Sequence, residues 1–356
     1  MRLIRPAFVS RLLSALLGAA ILLPVSAVPV DAAQTQKRST ATASSTAKKK
    51  TAYSARSSSA RRTSLARARS IARAREASRL RGLRQLQEAM TPQYKTDAAG
   101  QVIPDVRAAA AIIFNPVNGQ ILYEENSQDK RSIASITKVM TALVFLEDNP
   151  DLDGAFTIER SDVYAASTTY LKARDQITPR ELLHLLLIAS DNAAARALAR
   201  NSHGGTAPFI ERMNEKAIEL GLQNTTFADP SGLNANNISS AFDLSHLITF
   251  AASDERIASI MRTPTYTVTT NRRQIPIHST NQLVMKGDVE VMGGKTGFIT
   301  KSGYCLATLL RLPTGNPVAV VVLGATSNNG RFWETRHLFS WLNAKAGELF
   351  KEEVPK

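Results

Sequence analysis

Residues 293–323 read GGKTGFITKSGYCLATLLRLPTGNPVAVVVL. Two apolar runs, 303–312 and 318–323, flank Pro313-Thr314-Gly315-Asn316-Pro317, turn chemistry that joins them as a β-hairpin. A strand around 295–298, directly before, makes three adjacent antiparallel strands. Far upstream, 107–114 (RAAAAIIF) and 120–124 (QILYE) flank Asn115-Pro116-Val117-Asn118-Gly119 and read as a second hairpin. Between the two sets lies helical periodicity over 136–146, 179–188, 193–200, 207–220, 241–252 and 254–261, and a helix over about 331–350 closes the chain. Two strands, a mostly helical insert, three strands and a helix predict an α/β (α+β) fold. Its core is a five-stranded antiparallel sheet flanked by helices, with an inserted helical lobe beside it.

The rest of the 356 residues divides by charge. Residues 1–90 hold 18 Lys/Arg against 3 Asp/Glu, a net of +15, and residues 91–356 come to −1. The part that can fold is neutral, which argues against a basic domain built to grip nucleic acid. One cysteine, Cys305, excludes an intrachain disulfide framework and a Cys-based zinc site; it sits among apolar neighbours as a buried thiol. Five scattered histidines without a His-x-x-x-His pair argue against a metalloenzyme.

Residues 1–33 read as a secretory signal. Arg2, Arg5 and Arg11 precede an apolar run over 12–25, and Val25-Ser26-Ala27 fits the small-x-small cleavage pattern. That run is short of the ~20 residues a spanning helix needs, so export across the inner membrane is expected, to the periplasm if the cell is Gram-negative. Residues 34–100 are a basic low-complexity tether, expected to be disordered for want of apolar side chains. Within it, Leu80, Leu83 and Leu86 among arginines could form a basic amphipathic helix on an anionic envelope polymer or membrane surface. The globular domain is expected over 101–350.

Three motifs carry chemistry: Ser135-Ile136-Thr137-Lys138 (S-x-x-K), Ser190-Asp191-Asn192 (S-x-N) and Lys295-Thr296-Gly297 (K-T-G). Each alone is weak, since 45–48 and 127–130 also match S-x-x-K, 279–281 and 327–329 match S-x-N, and 301–303 is near K-T-G. Local structure separates them. Ser135 opens an apolar-periodic segment, so Ser135 and Lys138 share one helix face, and a neutral amine there can take the hydroxyl proton. The competing role for Ser135 is helix N-capping. Ser190 and Asn192 lie at a polar hinge between two apolar helices, where the competing role is capping the second. Gly293 and Gly297 let a ligand backbone approach the strand edge, and a second amine at Lys295 disfavours protonation of both lysines. A phosphate loop at Gly-Lys-Thr lacks the earlier glycine and the following helix.

In this order the motifs form the constellation of penicillin-binding proteins and class A β-lactamases. With ASITKVMTAL, IASDNAAARALA, FADPSGLNANNISSAFDLS and GGKTGFITKSGYCLA, the chain resembles the low-molecular-mass D-alanyl-D-alanine peptidases over roughly residues 105–345, most closely the D-alanyl-D-alanine endopeptidases of the penicillin-binding protein 7 type. The resemblance implies a penicillin-binding, β-lactamase-like transpeptidase fold and an exported serine peptidase acting on peptidoglycan peptide stems, acylated by β-lactams and needing no cofactor. It implies that Ser135 is acylated, Lys138 accepts its proton and Ser190 relays a proton to the leaving amine. Asn192 would hold the substrate amide, Lys295 the proton network, and Thr296 the terminal carboxylate, with Arg331 nearby. The N–H groups of Ser135 and Phe298 would form the oxyanion hole.

Cutting D-Ala–diaminopimelate cross-links is the expected activity, because only two strands and a helix follow Gly297, where family carboxypeptidases usually carry a further β-domain and a membrane helix. Trimming of pentapeptide stems by a carboxypeptidase is the alternative. A β-lactamase or a non-catalytic peptidoglycan-binding protein ranks below both. The nearest match to a class A deacylating E-x-x-L-N is Glu219-Leu220-Gly221-Leu222, followed by Gln223 rather than Asn, so slow release of penicillin is expected.

Overall fold

In the computed structural model the backbone is described over residues 47–349 and the side chains over 67–346. The signal segment 1–33 lies outside the described residues. Helix α1 (Ala47–Met90) is continuous, and the chain divides within it, at Arg73 and Ala74, into two units. Over 47–90 this differs from the disorder expected for 34–100, of which 34–46 lie outside the described residues. Ala, Arg, Leu and Gln are strong helix formers, so the backbone coils although nearly every side chain from 67 to 90 stays exposed. A short hairpin, Tyr94–Thr96 with Val102–Pro104, also falls partly inside the stretch read as tether.

The core is the expected sheet. Strands β1 (Ala110–Phe114), β2 (Ile121–Glu125), β3 (Glu290–Ile299), β4 (Gly303–Arg311) and β5 (Pro317–Ala325) pair antiparallel in the order β3-β4-β5-β1-β2. Each central strand buries both faces. Ala110, Ile112, Ala319, Val321, Cys305 and Ala307 join one apolar cluster, while Ala111, Ile113, Val318, Val320, Leu306 and Leu310 join another. That is why these strands read as unbroken apolar runs rather than as alternation. Helix α5 (Ala241–Ser253) contributes Leu244, Leu247 and Ile248 to the first cluster, and α6 (Asn328–Leu349) contributes Phe332, Leu338 and Leu342 to the second.

The lobe holds α2 (Thr137–Glu147), α3 (Pro179–Leu187) and α4 (Asn192–Asn201), joined through Val139, Leu143, Leu182, Leu186, Ala195 and Leu198. Thr178 caps α3 by accepting from the Glu181 N–H, with Pro179 in the first turn. The sequence reading left out two small hairpins, Phe156–Thr157 with Gln176–Ile177 and Thr265–Thr269 with Gln274–His278. Strand β3 is also longer than expected, starting at Glu290 behind a bulge at Val291–Gly293.

β3 is an edge strand, and the lobe meets it at Gly297. A Cβ on Gly297 would lie 2.6 Å from the Ile133 carbonyl oxygen and 3.3 Å from the Ala134 Cβ. Only a glycine lets the strand pass this close to the start of α2.

Candidate active site

Ser135 lies in a single 3-10 turn, Ala134–Ile136, that runs into α2. Neither that turn nor α2 has a side-chain cap, so the Ser135 hydroxyl is not used to hold a helix end. One turn on, Lys138 Nζ stands 2.8 Å from Ser135 Oγ. The same amine donates to Asn192 Oδ1 at 2.6 Å and to the Ser231 carbonyl at 2.5 Å. Lys138 is fully buried.

The partner set fixes what the amine can do. A neutral amine has two N–H donors and one lone pair. Asn192 Oδ1 and the Ser231 carbonyl only accept, and the two N–H groups satisfy them. The lone pair is left for the one partner that can donate, the Ser135 hydroxyl. Asn192 keeps its oxygen toward Lys138 because its Nδ2 donates to the Ala166 carbonyl at 2.7 Å. Burial pulls the Lys138 pKa from 10.5 down to about 7; Asp191 and Asp229 oppose the fall and Arg196 adds to it.

In the S-x-N motif the middle residue does the capping. Asp191 Oδ1 accepts from the Ala194 N–H at 2.9 Å and Oδ2 from the Tyr170 N–H at 2.6 Å, and burial raises its carboxyl pKa. Ser190 and Asn192 are thereby left to the cleft. Ser190 has φ 60°, a left-handed backbone rare outside glycine, and Ala134 beside Ser135 has φ 49°. Strain at both hinge points aims the two hydroxyls at a common space.

On the far wall, Lys295 Nζ donates to Ser190 Oγ at 2.8 Å and to the Thr296 carbonyl at 3.0 Å. Burial first, then the charges of Lys138 and Arg331, hold this amine well below its ordinary range. Thr296 Oγ1 is 2.6 Å from Thr280 Oγ1. Arg331 is buried; its Nη1 donates to the carbonyls of Gly297 at 2.9 Å and Cys305 at 3.1 Å, and its Nη2 donates to Asn328 Oδ1. It therefore clasps β3 to β4 beside the cleft. Phe298 is half-exposed and stacks on Tyr304, ring centroids 4.2 Å apart.

Ser135, Ser190, Asn192, Thr296, Gly297, Phe298 and Arg331 all line one cleft of about 420 Å³. Lys138 and Lys295 lie directly behind its hydroxyls. Sequence reasoning missed Thr280, Ser167 and Thr168 on the wall, and the Ser231 carbonyl behind it. Thr280 stands in Ser279-Thr280-Asn281, which had counted only as a stray S-x-N match. No Asp or Glu lines the cleft among the described residues, and Glu219 pairs with Lys216 away from it. No cluster that could hold a metal ion occurs among the described residues. Cys305 is buried mid-strand, its thiol pKa raised by burial.

The peptidase S11 family, D-alanyl-D-alanine carboxypeptidase, matches residues 95–327. The chain belongs to that family. It is 32% identical over 251 residues to the D-alanyl-D-alanine endopeptidase of Escherichia coli K12, an alignment covering 67% of this chain and 78% of the relative. It is 30% identical to the D-alanyl-D-alanine carboxypeptidase DacF of Bacillus subtilis over 252 residues, 68% of this chain and 64% of the relative. The crystal structure of the Streptomyces K15 DD-transpeptidase superposes with a TM-score of 0.64 at 30% identity, covering 68% of this chain and 98% of that one. The family carries the predicted fold, and the chain is a serine DD-peptidase, a hydrolase.

A buried amine has a consequence for stability in this family member. Between about pH 7 and 10.5 the unfolded chain holds a Lys138 proton that the native state does not, so native stability rises with pH across that window. Below about pH 7 both states are protonated, and the penalty stays at its full value. Denaturant unfolding at about pH 7 and about pH 9.5 is expected to show wild type gaining on the order of 3 kcal/mol more than Lys138→Met. Equal gains in the two proteins would contradict a depressed Lys138.

Proposed function

We propose that the protein is an exported peptidoglycan endopeptidase that cuts D-Ala–diaminopimelate cross-links through an acyl-enzyme on Ser135. The observation that carries the reading is the Ser135–Lys138 pair, 2.8 Å apart, with the amine's remaining partners both acceptors. Ser135 Oγ attacks the D-Ala carbonyl carbon as its proton passes to Lys138 Nζ. The oxygen of the tetrahedral intermediate lies between the N–H groups of Ser135 and Phe298; one such donor is typically worth about 10²–10³ in rate. The C–N bond breaks, and the leaving amine takes a proton through Ser190, whose hydroxyl is paired with Lys295. Water then splits the ester and restores the Ser135 hydroxyl. Asn192 holds the substrate amide. Thr296 binds the carboxylate, with Arg331 supplying positive field behind it.

The endopeptidase reading is supported by three relatives of that name, from Escherichia coli, Pseudomonas aeruginosa and Haemophilus influenzae, at 32–34% identity. The carboxypeptidase alternative is supported by the family's own description and by relatives such as DacF. Incubation of the protein with isolated cross-linked muropeptide dimers, followed by mass analysis, decides between them. The expected result is conversion of dimers to monomers with the gain of one water. Trimming of pentapeptides with the dimers left intact would overturn the endopeptidase reading.

The same reading divides the chain into a signal over 1–33, a basic tether over 34–100 and the peptidase domain over 101–350, and has the enzyme exported across the inner membrane, to the periplasm if the cell is Gram-negative. No helix among the described residues is long and apolar enough to cross a membrane. On the part of α1 from Ala74 onward, Arg75, Arg79, Arg81 and Arg84 are exposed, as are Leu80, Leu83 and Leu86, a surface suited to an anionic envelope polymer or membrane. Penicillins would acylate Ser135 as substrate mimics and leave slowly, in keeping with a cleft wall that holds no carboxylate among the described residues.

A further inference from the structure

The segment 229–237, DPSGLNANN, contributes no side chain to the cleft apart from Leu233, yet it is tied together more densely than a loop requires. Asp229 Oδ1 accepts from the Gly232 N–H at 2.8 Å and from Asn237 Nδ2 at 2.6 Å, and its Oδ2 accepts from Ser231 Oγ at 2.6 Å. The Asn237 oxygen accepts from the Ala228 N–H at 2.6 Å and the Asp229 N–H at 3.1 Å. Asn237 and Ser231 are fully buried.

This knot is anchored to the turn and helix that carry the reacting pair. Asn237 Nδ2 also reaches Thr137 Oγ1 at 3.1 Å, its carbonyl accepts from the Ile133 N–H at 3.1 Å, and Thr141 Oγ1 donates to the Pro230 carbonyl at 2.6 Å. Gly232, at φ 84°, presses on the turn before Ser135: a Cβ there would lie 2.1 Å from the Ala134 carbonyl oxygen. The product of all these contacts is one fixed atom, the Ser231 carbonyl oxygen, 2.5 Å from Lys138 Nζ.

We propose that Asp229 and Asn237 are positioning residues for acylation: they hold the Ser231 carbonyl as a fixed acceptor for Lys138, so that the amine's lone pair is left to Ser135. This rests on the Ser135 acyl-enzyme reading. If the carbonyl drifts, an N–H of Lys138 turns to Ser135 Oγ instead, and the hydroxyl accepts where it should donate. The groups that face Lys138 are then Asp191 from the start of α4, Asp229 from this segment, Arg196 from α4 and Lys295 from β3. Asp229 therefore acts in two separable ways, through the carbonyl it positions and through its own charge.

The experiment measures the second-order rate of labelling by a fluorescent penicillin against pH, on the full chain. In Asp229→Ala the plateau is expected to fall about tenfold to a hundredfold, the scale on which outer partners of first-layer ligands act in metal sites. Asp229→Asn keeps an acceptor for Gly232 and Asn237. It is expected to recover most of the plateau while its acidic limb moves to lower pH, because a negative charge near Lys138 is gone. An unchanged plateau in Asp229→Ala overturns the proposal. So do equal losses in both variants with the acidic limb unmoved, the mark of a merely structural residue. Should Asp229→Ala fail to fold, Ser231→Ala, which removes the Oγ with its bonds to Asp229 Oδ2 and the Leu233 N–H, must still slow labelling. If wild type itself is not labelled, it is the acyl-enzyme reading that fails.

Discussion

Ser135→Ala is expected to abolish covalent labelling by a fluorescent penicillin, and Lys138→Met to slow it by about 10²–10⁴, the contribution of a positioned general base. The two losses differ in kind. Ser135→Ala removes the atom to which the acyl group bonds, so no label forms at any time or pH. Lys138→Met leaves the hydroxyl in its turn and replaces the buried stem with an apolar chain of similar length, but nothing takes the proton. Wild-type labelling should rise with pH through about 7, where Lys138 gives up its proton. The Lys138→Met profile should lose that limb. Labelling retained in Ser135→Ala, or an acidic limb unchanged in Lys138→Met, would place the nucleophile or the base elsewhere. The effect should exceed any from the tether, because on this reading the pair supplies the nucleophile and its base.

Gly297→Ala is expected to cost almost as much without removing any chemical group. The added methyl would sit 2.6 Å from the Ile133 carbonyl oxygen and 3.3 Å from the Ile136 nitrogen, both backbone atoms with little room to yield. Either β3 or the turn carrying Ser135 must shift. Overpacking of this kind typically costs about 1–3 kcal/mol of stability. The kinetic cost is larger, since β3 carries Lys295, Thr296 and the Phe298 N–H, and a displacement of about 1 Å can cost about 10² in rate. Labelling kinetics read beside a thermal melt check this. A variant that labels at the wild-type rate would show that the approach of β3 to α2 is not critical. A slow but well-folded variant is the expected outcome.

The motifs were legible one by one because each pairs a polar residue with an apolar helix or strand. What the residues could not reveal was which member of each motif was already spoken for. Ser135 before an apolar helix and Ser190 before another looked equally fit to be caps. In the fold, the first helix start has no side-chain cap and the second is capped by Asp191, so both serines are free. Arg331 was expected only near the substrate carboxylate, and only the register Gly297↔Cys305 puts two carbonyls within its reach. The segment 229–237 was visible as part of a resemblance and carried no assigned role. Its contacts with Ile133, Thr137 and Lys138 span 93 to 104 residues of sequence, and no local pattern records them.

The sequence by itself determined the strand and helix inventory, the five-stranded antiparallel sheet, the three motifs and the family. Each of these rests on periodicity, turn chemistry or short spacings that neighbouring residues carry. It read the tether from composition and so expected disorder, where high helix propensity instead gives α1. The tertiary structure decided the state of the two lysines. An amine loses its affinity for a proton when packing strips it of water, and burial belongs to the assembled fold rather than to any stretch of chain. It also decided the direction of the Lys138 lone pair, because that follows from three partners, Ser135, Asn192 and Ser231, which meet only when the lobe closes on the sheet edge.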